Sequence, residues 1–425
     1  MERTIVQMLH DAAQKYGDRA YTNTRMEAGW QPCSFKQTDT QSDYVAAYLL
    51  DHGFKAEQTV GILSEGKSSW VTCEHGAIKA KMISVPLSIK LTPEEIAFRI
   101  NHSEAVALAV SSNTLGNAVK ALPFFDHHVM FIYLDEQDDR LESQIRQAGW
   151  KQDVDYVPYQ TMLSDGQALL EKQPKLVRDV EATISEQDTI NICYTSGTTG
   201  NPKGIMLTHV NYWVNSHDAI ELFQLPDAQF ETLVVLPVDH SFAHTVGIYT
   251  SLLRGITLHF VDSRGSNAAI IRNFPKNLVE LNPVFLMTVP SITGNFMKKM
   301  IQGIHQKGSF VEGIFNRGLE AGMLRNGDGF HKGGTWIRIK TWLPYTLANL
   351  LVFPKLRKIF GDKMLYCVGG GALLEAKQQR FFAAIGVPVF QGYGLTEAAP
   401  IISSNTPHRY KFGTSGMVAK SEICK

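Results

Sequence analysis

The segment Tyr194-Thr-Ser-Gly-Thr-Thr-Gly-Asn-Pro-Lys-Gly204 places four hydroxyl side chains, three glycines and a lysine in one short run. Glycine lets a backbone turn tightly and approach a ligand closely. Thr195, Ser196, Thr198 and Thr199 can donate hydrogen bonds to phosphate oxygens, with Gly197 and Gly200 spacing them, and Lys203 brings positive charge to the same end. Such a loop suits a polyphosphate. It is not the GxxxxGK[ST] loop, because Lys203 is followed by Gly204 and not by a hydroxyl residue. On composition alone, the plain alternative is a solvated turn rich in Ser, Thr and Gly.

Two further segments bear on that alternative. Gln391-Gly-Tyr-Gly-Leu-Thr-Glu397 follows the apolar run Val387-Pro-Val-Phe390, and Val368-Gly-Gly-Gly-Ala372 ends another apolar run. In this order the three segments resemble the adenylate-forming superfamily, which includes acyl-CoA synthetases, luciferases and peptide-synthetase adenylation domains. The resemblance implies that the first segment binds the phosphates of ATP. It implies that Gly370, Gly371 and Ala372 pass close to adenine, and that Tyr393 lies against that ring. Gln391, Gly392, Gly394 and Thr396 would complete the nucleotide site, with Thr396 at the α-phosphate. Thr195 and Glu397 would ligate Mg²⁺, a hard cation that prefers oxygen. Lys203, Thr396 and Glu397 would be the catalytic residues. The Pro usual after the glycine run is Leu373 in this chain, a minor departure.

The same resemblance frames the acid to be activated. Leu236-Pro-Val-Asp-His-Ser-Phe-Ala-His-Thr-Val-Gly247 is similar to the segment that borders the family's acyl tunnel. It implies that His240 sits beside the carboxylate and nucleotide. On an ungapped alignment, His244 falls where some long-chain fatty acyl-CoA synthetases carry a gating Trp. An ordinary loop histidine is the alternative for both. The apolar run 284–290, with Val289, would line the tunnel or form a buried strand.

Residues 297–361 make a segment longer than a loop requires, resembling the extended helical region of long-chain fatty acyl-CoA synthetases. Within it, aromatic and basic residues mix from Trp336 to Lys358. Such a surface would suit a membrane interface; a helical pair packed on the second unit is the alternative.

The elements that must position these residues alternate between strand and helix. Residues 42–52, 68–79 and 93–102 read as helices, the last with a Thr92/Glu95 capping box and Pro93 at its first position. Residues 60–64, 82–86, 106–111, 129–134 and 189–193 read as strands. Further strands fall at 233–236, 257–261, 284–288, 364–368 and 387–390, and 135–173 is expected to wander over the surface. The fold class is therefore α/β: two αβ-layered subdomains with mostly parallel sheets, 1–185 and 186–410, with a helical insertion at about 297–361. Residues 411–425 resemble the start of a small β-barrel. The family's later ribose-binding Asp, hinge and lysine-bearing lid do not follow, so the sequence is expected to be a fragment with weak ATP binding and slow turnover.

Forty-one basic residues balance forty-one acidic ones, so no global field favours nucleic acid. Five scattered cysteines lack the spacing of a zinc site or a disulfide framework, which suits a reducing cytosol. No run reaches the roughly 18 apolar residues of a membrane span. The expectation is a cytoplasmic acid–thiol ligase using ATP, Mg²⁺ and coenzyme A on a long-chain fatty acid. Peripheral contact at the inner membrane surface and a homodimer are left open. An aryl or medium-chain acid, a carrier-protein acceptor, or a non-catalytic nucleotide-binding module are the competing readings.

Overall fold

The computed structural model describes residues 2–195 and 200–421. Sixteen strands among them form two sheets. They are β1 Ala20–Met26, β2 Gly29–Ser34, β3 Thr59–Leu63, β4 Ile83–Leu87, β5 Ala105–Val110, β6 Met130–Tyr133, β7 Tyr156–Pro158 and β8 Thr189–Thr195. The chain continues through β9 Lys203–Thr208, β10 Glu231–Val234, β11 Thr257–Phe260, β12 Phe285–Thr288, β13 Tyr366–Gly369, β14 Val389–Gly394, β15 Ile401–Ser404 and β16 Met417–Val418.

The first sheet has the order β7-β6-β5-β3-β4-β8-β9 and is parallel except for the β8–β9 pair. Its central strands β3 and β4 are buried along their whole length, as expected where helices cover both faces of a parallel sheet. The second sheet runs β16-β15-β14-β13-β12-β10-β11-β1-β2, parallel from β14 to β1 with antiparallel pairs at both edges.

Sheet membership does not follow a cut at residue 185. The β1–β2 hairpin of the N-terminal segment closes the edge of the second sheet, through Thr22 opposite Leu258. Strands β8 and β9, which flank the hydroxyl-rich loop, close the edge of the first. Thr195 and Lys203 therefore stand on one sheet while the Gln391–Glu397 segment hangs from the other. No closed barrel forms among the described residues; β16 simply adds to β15.

The helices follow local rules. Phe35–Asp51 starts earlier than residue 42 because Ser34 and Gln37 form a capping box. Pro93–Ser103 has the Thr92/Glu95 box and N-terminal Pro read from the sequence. The stretch 135–173 is not a surface meander. It contains a helix Asp139–Ala148, the strand β7, and a helix Tyr159–Lys172 packed on Phe35–Asp51. Gly166 makes that packing close, since a Cβ there would lie 2.0 Å from the Tyr44 carbonyl oxygen. Between β12 and β13 lie five helices: Pro290–His305, Ser309–Asn326, Thr335–Lys340, Trp342–Leu351 and Phe353–Arg357.

Candidate active site

Strand β8 delivers Thr195 to the edge of a crevice between the sheets, and β9 returns with Lys203 directly opposite it in the antiparallel register. Ser196, Gly197, Thr198 and Thr199 lie outside the described residues. Gly200 is exposed, and Lys203 is exposed at the first position of β9.

Thr195 shares a cavity of about 310 Å³ with His240, Gly370, Gly371, Gly392, Tyr393, Gly394, Thr396 and Glu397. Two separated turns thus converge on one volume, at the carboxyl ends of β8 and of the second sheet's parallel strands. Ligands of α/β folds bind at such ends. Chain geometry at β14 depends on glycine: a Cβ on Gly394 would lie 2.0 Å from the Pro400 carbonyl oxygen.

Several residues without an obvious motif hold this geometry. Asn215, buried on the helix His209–Phe223, donates to the carbonyls of Ala398 (3.3 Å) and Ile401 (3.0 Å) and accepts from the Ile401 N–H at 2.9 Å. Thr245 donates to the Ala399 carbonyl at 2.9 Å. Together they fix the turn that carries Thr396 and Glu397. The Ser241 and Thr396 hydroxyls lie 3.2 Å apart, joining that turn to the His240 loop. The Phe242 ring lies close behind Gly370, 3.4 Å from where a Cβ would stand.

His240 lines the cavity, and its Nδ1 accepts the Phe242 N–H at 3.2 Å. Desolvation lowers its pKa from the usual imidazole value. The neutral ring that results carries its proton on Nε2, where it can donate.

Six expected site residues do not line the cavity: Gly200 and Lys203, both exposed, and Ala372, Gln391, Val289 and His244. Gln391 is buried and braces the glycine loop: its Oε1 accepts the Leu374 N–H and its Nε2 donates to the Ala372 carbonyl at 3.3 Å. Ala372 takes part through that carbonyl. Val289 caps the helix Pro290–His305 and backs Gly371 without lining the cavity. His244, expected at an acyl tunnel, is fully buried. Its Nε2 lies 2.9 Å from the Glu74 carboxylate and 3.1 Å from the Tyr249 hydroxyl. It belongs to the seam between the helix Ser68–Lys79 and the π-helical turn Ala243–Tyr249.

The far end of the cavity is apolar, walled by Phe223, Leu225, Ile256, Phe285 and Tyr366. Phe223 stacks on Tyr366 with centroids 5.9 Å apart. Sequence reading reached only Phe285, inside the apolar run 284–290; the other members come from segments far apart in the chain.

The polar end offers oxygen donors: the Glu397 carboxylate and the hydroxyls of Thr195, Thr396 and Ser241. No group of three or more His, Cys, Asp or Glu able to cage a metal occurs among the described residues. Mg²⁺ bound to nucleotide phosphates needs only one or two protein carboxylates, so this donor set fits it.

A family model described as AMP-binding enzyme matches residues 9–424. The chain belongs to this family. Among its relatives are the long-chain-fatty-acid–CoA ligase ACSBG2 of Xenopus laevis, 25% identical over 98% of the chain and 54% of that protein, and long-chain-fatty-acid–CoA ligase 5 of Mus musculus, 27% identical over 90% and 53%. The chain spans about half the length of these relatives. Its fold is similar to the A domain of carboxylic acid reductase from Segniliparus rugosus (TM-score 0.71, 17% identity, 95% of this chain and 61% of that one). It is also similar to a benzoate CoA ligase from Burkholderia xenovorans (TM-score 0.66, 16% identity, 98% and 66%). These likenesses establish the family's α/β architecture for the chain.

Proposed function

We propose that the chain carries out ATP-dependent activation of a fatty acid. The acid's carboxylate oxygen attacks the α-phosphorus, the bond to the bridging oxygen of pyrophosphate breaks, and acyl-adenylate forms. The sulfur of coenzyme A then attacks the acyl carbon, displacing AMP and giving the thioester. The observation that carries this reading is one cavity with a hydroxyl- and carboxylate-lined end and an aromatic, apolar end. A module that only stored nucleotide would have no use for the second end.

Within this reading the residues of the chain align and neutralise two anions, the main task in such a displacement. Thr195, Thr396 and the hydroxyl-rich loop hold phosphate oxygens, Lys203 offsets their charge, and Tyr393 covers the base. Neutral His240 donates from Nε2 towards the incoming carboxylate. Glu397, with Thr195, would hold Mg²⁺, which supplies further charge neutralisation at the phosphates when bound. Gln391 serves by keeping the glycine loop in place.

The names of the relatives support a long-chain acid. The aromatic wall of Phe223, Phe285 and Tyr366 is the observation that favours a shorter or aryl acid. Cytoplasmic placement with peripheral contact at the inner membrane surface belongs to the same reading, as does a homodimer. No helix among the described residues is long and apolar enough to cross a membrane.

The test is acid-dependent exchange of labelled pyrophosphate into ATP with palmitate, octanoate and benzoate, alongside ATP titration with and without Mg²⁺. Exchange greatest with palmitate is expected, with Glu397→Gln abolishing the Mg²⁺ effect on ATP binding. ATP binding that neither Mg²⁺ nor any acid alters would support the nucleotide-binding module instead.

A further inference from the structure

A second apolar cavity, remote in sequence from the nucleotide loops, lies in the helical insertion. It is a groove of about 400 Å³ between the helix Pro290–His305, the start of Ser309–Asn326, and the helices Trp342–Leu351 and Phe353–Arg357. Met300, Ile304, Ile314 and Leu356 contribute its apolar lining. The same lining contains three lysines, Lys299, Lys307 and Lys355, and no acid. The nearby carboxylate of Glu312 is engaged by His305 at 3.0 Å.

The groove opens onto an unusual surface. Phe310 and Leu351 line it and are also exposed. Beyond them stand Trp336 and Trp342, 75% and 61% exposed, with Ile339, Leu343 and Leu350. No residue of the helix Thr335–Lys340 is buried, and Ala348 is the single buried residue of Trp342–Leu351. Helices that merely covered a core would turn these side chains inward. Charge is segregated here as well. Residues 329–361 hold six Lys or Arg and no Asp or Glu, in a chain whose total charges balance.

We infer that this face docks on an anionic lipid surface and that the groove accepts an acyl chain beneath its lysine rim. Exposed tryptophans with aliphatic neighbours suit the headgroup boundary of a bilayer, and unopposed Lys and Arg suit its negative potential. A second copy of the chain is the poorer occupant. A two-fold contact through this patch would set one cationic face against another. Nucleic acid offers no complement for Leu343, Leu350 and Leu351. The inference goes beyond acid activation and does not rest on it, because its readout is binding alone.

The experiment is flotation of the full chain with vesicles of phosphatidylcholine, with and without phosphatidylglycerol. Binding only to the anionic vesicles, weakened by salt, is expected. Replacing Lys299, Lys307 and Lys355 together by Gln should lower partition on the order of a hundredfold, at about fivefold per cation lost. Gly303 also lines the groove, and a Cβ there meets nothing within 4 Å. Gly303→Leu should therefore fill the groove in a folded protein and weaken binding, while Trp336→Ser with Trp342→Ser does so from the surface. Equal binding to both vesicle types, no binding, or binding indifferent to all three sets would overturn the inference. So would concentration-dependent dimerisation that the tryptophan variants abolish, which would assign the face to a second copy. Pyrophosphate exchange in free detergent-solubilised acid should be unaltered by the lysine set.

Discussion

Truncating Asn215 to Ala would leave the Ala398 and Ile401 carbonyls and the Ile401 N–H without their partner in a buried turn. Each buried polar group so orphaned costs about 1–3 kcal/mol, so the variant should lose a few kcal/mol of stability in denaturant titration. It should also bind MgATP more weakly, because the same turn carries Glu397. Unchanged MgATP affinity would remove the positioning role. His240 gives a prediction of the opposite kind, in pH. Burial lowers its pKa, so the ring gains its proton at a lower pH than a free imidazole does. Acid activation should therefore begin to decline at a lower pH than a free imidazole would impose, and His240→Gln should erase that limb from the kcat/KM profile. At this scale the sequence was informative wherever contacts are contiguous: Thr195, Tyr393, Thr396 and Glu397 come from compact motifs. Asn215, Ser241 and Thr245 act across more than a hundred and fifty residues, so no local pattern betrays them. His244 shows the converse error, since an ungapped alignment suggested a tunnel position while the π-helical turn Ala243–Tyr249 holds it in the core.

At the scale of elements, the helix His209–Phe223 connects two functions. Its capping box, Thr208 with Asn211, fixes its start immediately after β9. One face then presents Asn215 to the Glu397 turn, and Ala219 and Phe223, a turn apart, to the apolar end of the cavity. Phe223→Ala should lengthen that end at a stability cost on the order of 2 kcal/mol, less than for a fully buried ring because Phe223 is half-buried. The acid panel should shift towards longer chains; a preference that stays fixed would show that the chain runs elsewhere. Strands such as β3, β4 and β12 were legible as short apolar runs, because burial on both faces leaves little else for them to be. The stretch 135–173 was not legible. Its helix Asp139–Ala148 buries only Leu141, and β7 has three residues, so neither period rises above the polar background.

For the molecule as a whole, acid sensitivity follows from two histidines buried in neutral form. Burial pushes His209 down to about 3 and His75 to about 4. His209 accepts the Ile5 N–H at 3.0 Å, tying the first helix to the site helix. In the unfolded chain both rings take up protons near pH 6.5, while the folded chain excludes them until pH reaches 3 to 4. The contribution of these two rings is therefore complete above about 6.5 and falls as pH drops. Each ring contributes a slope of about 1.4 kcal/mol per pH unit. Denaturant titrations between pH 7 and 4.5 should show the decline, and His209→Gln should flatten it by about half. Fold class was readable at this scale from the strand–helix rhythm, but the exchange of strands between sheets was not. Pairings such as Thr22 with Leu258 leave no trace in either segment alone.

That exchange sets the order in which the polypeptide can mature. The hairpin β1–β2 emerges from the ribosome early, yet its docking edge on β11 is synthesised far later. Until then its unpaired backbone must be shielded by chaperones or wait in solution. A gene split near codon 185 should consequently yield two insoluble halves that recover solubility only when translated together.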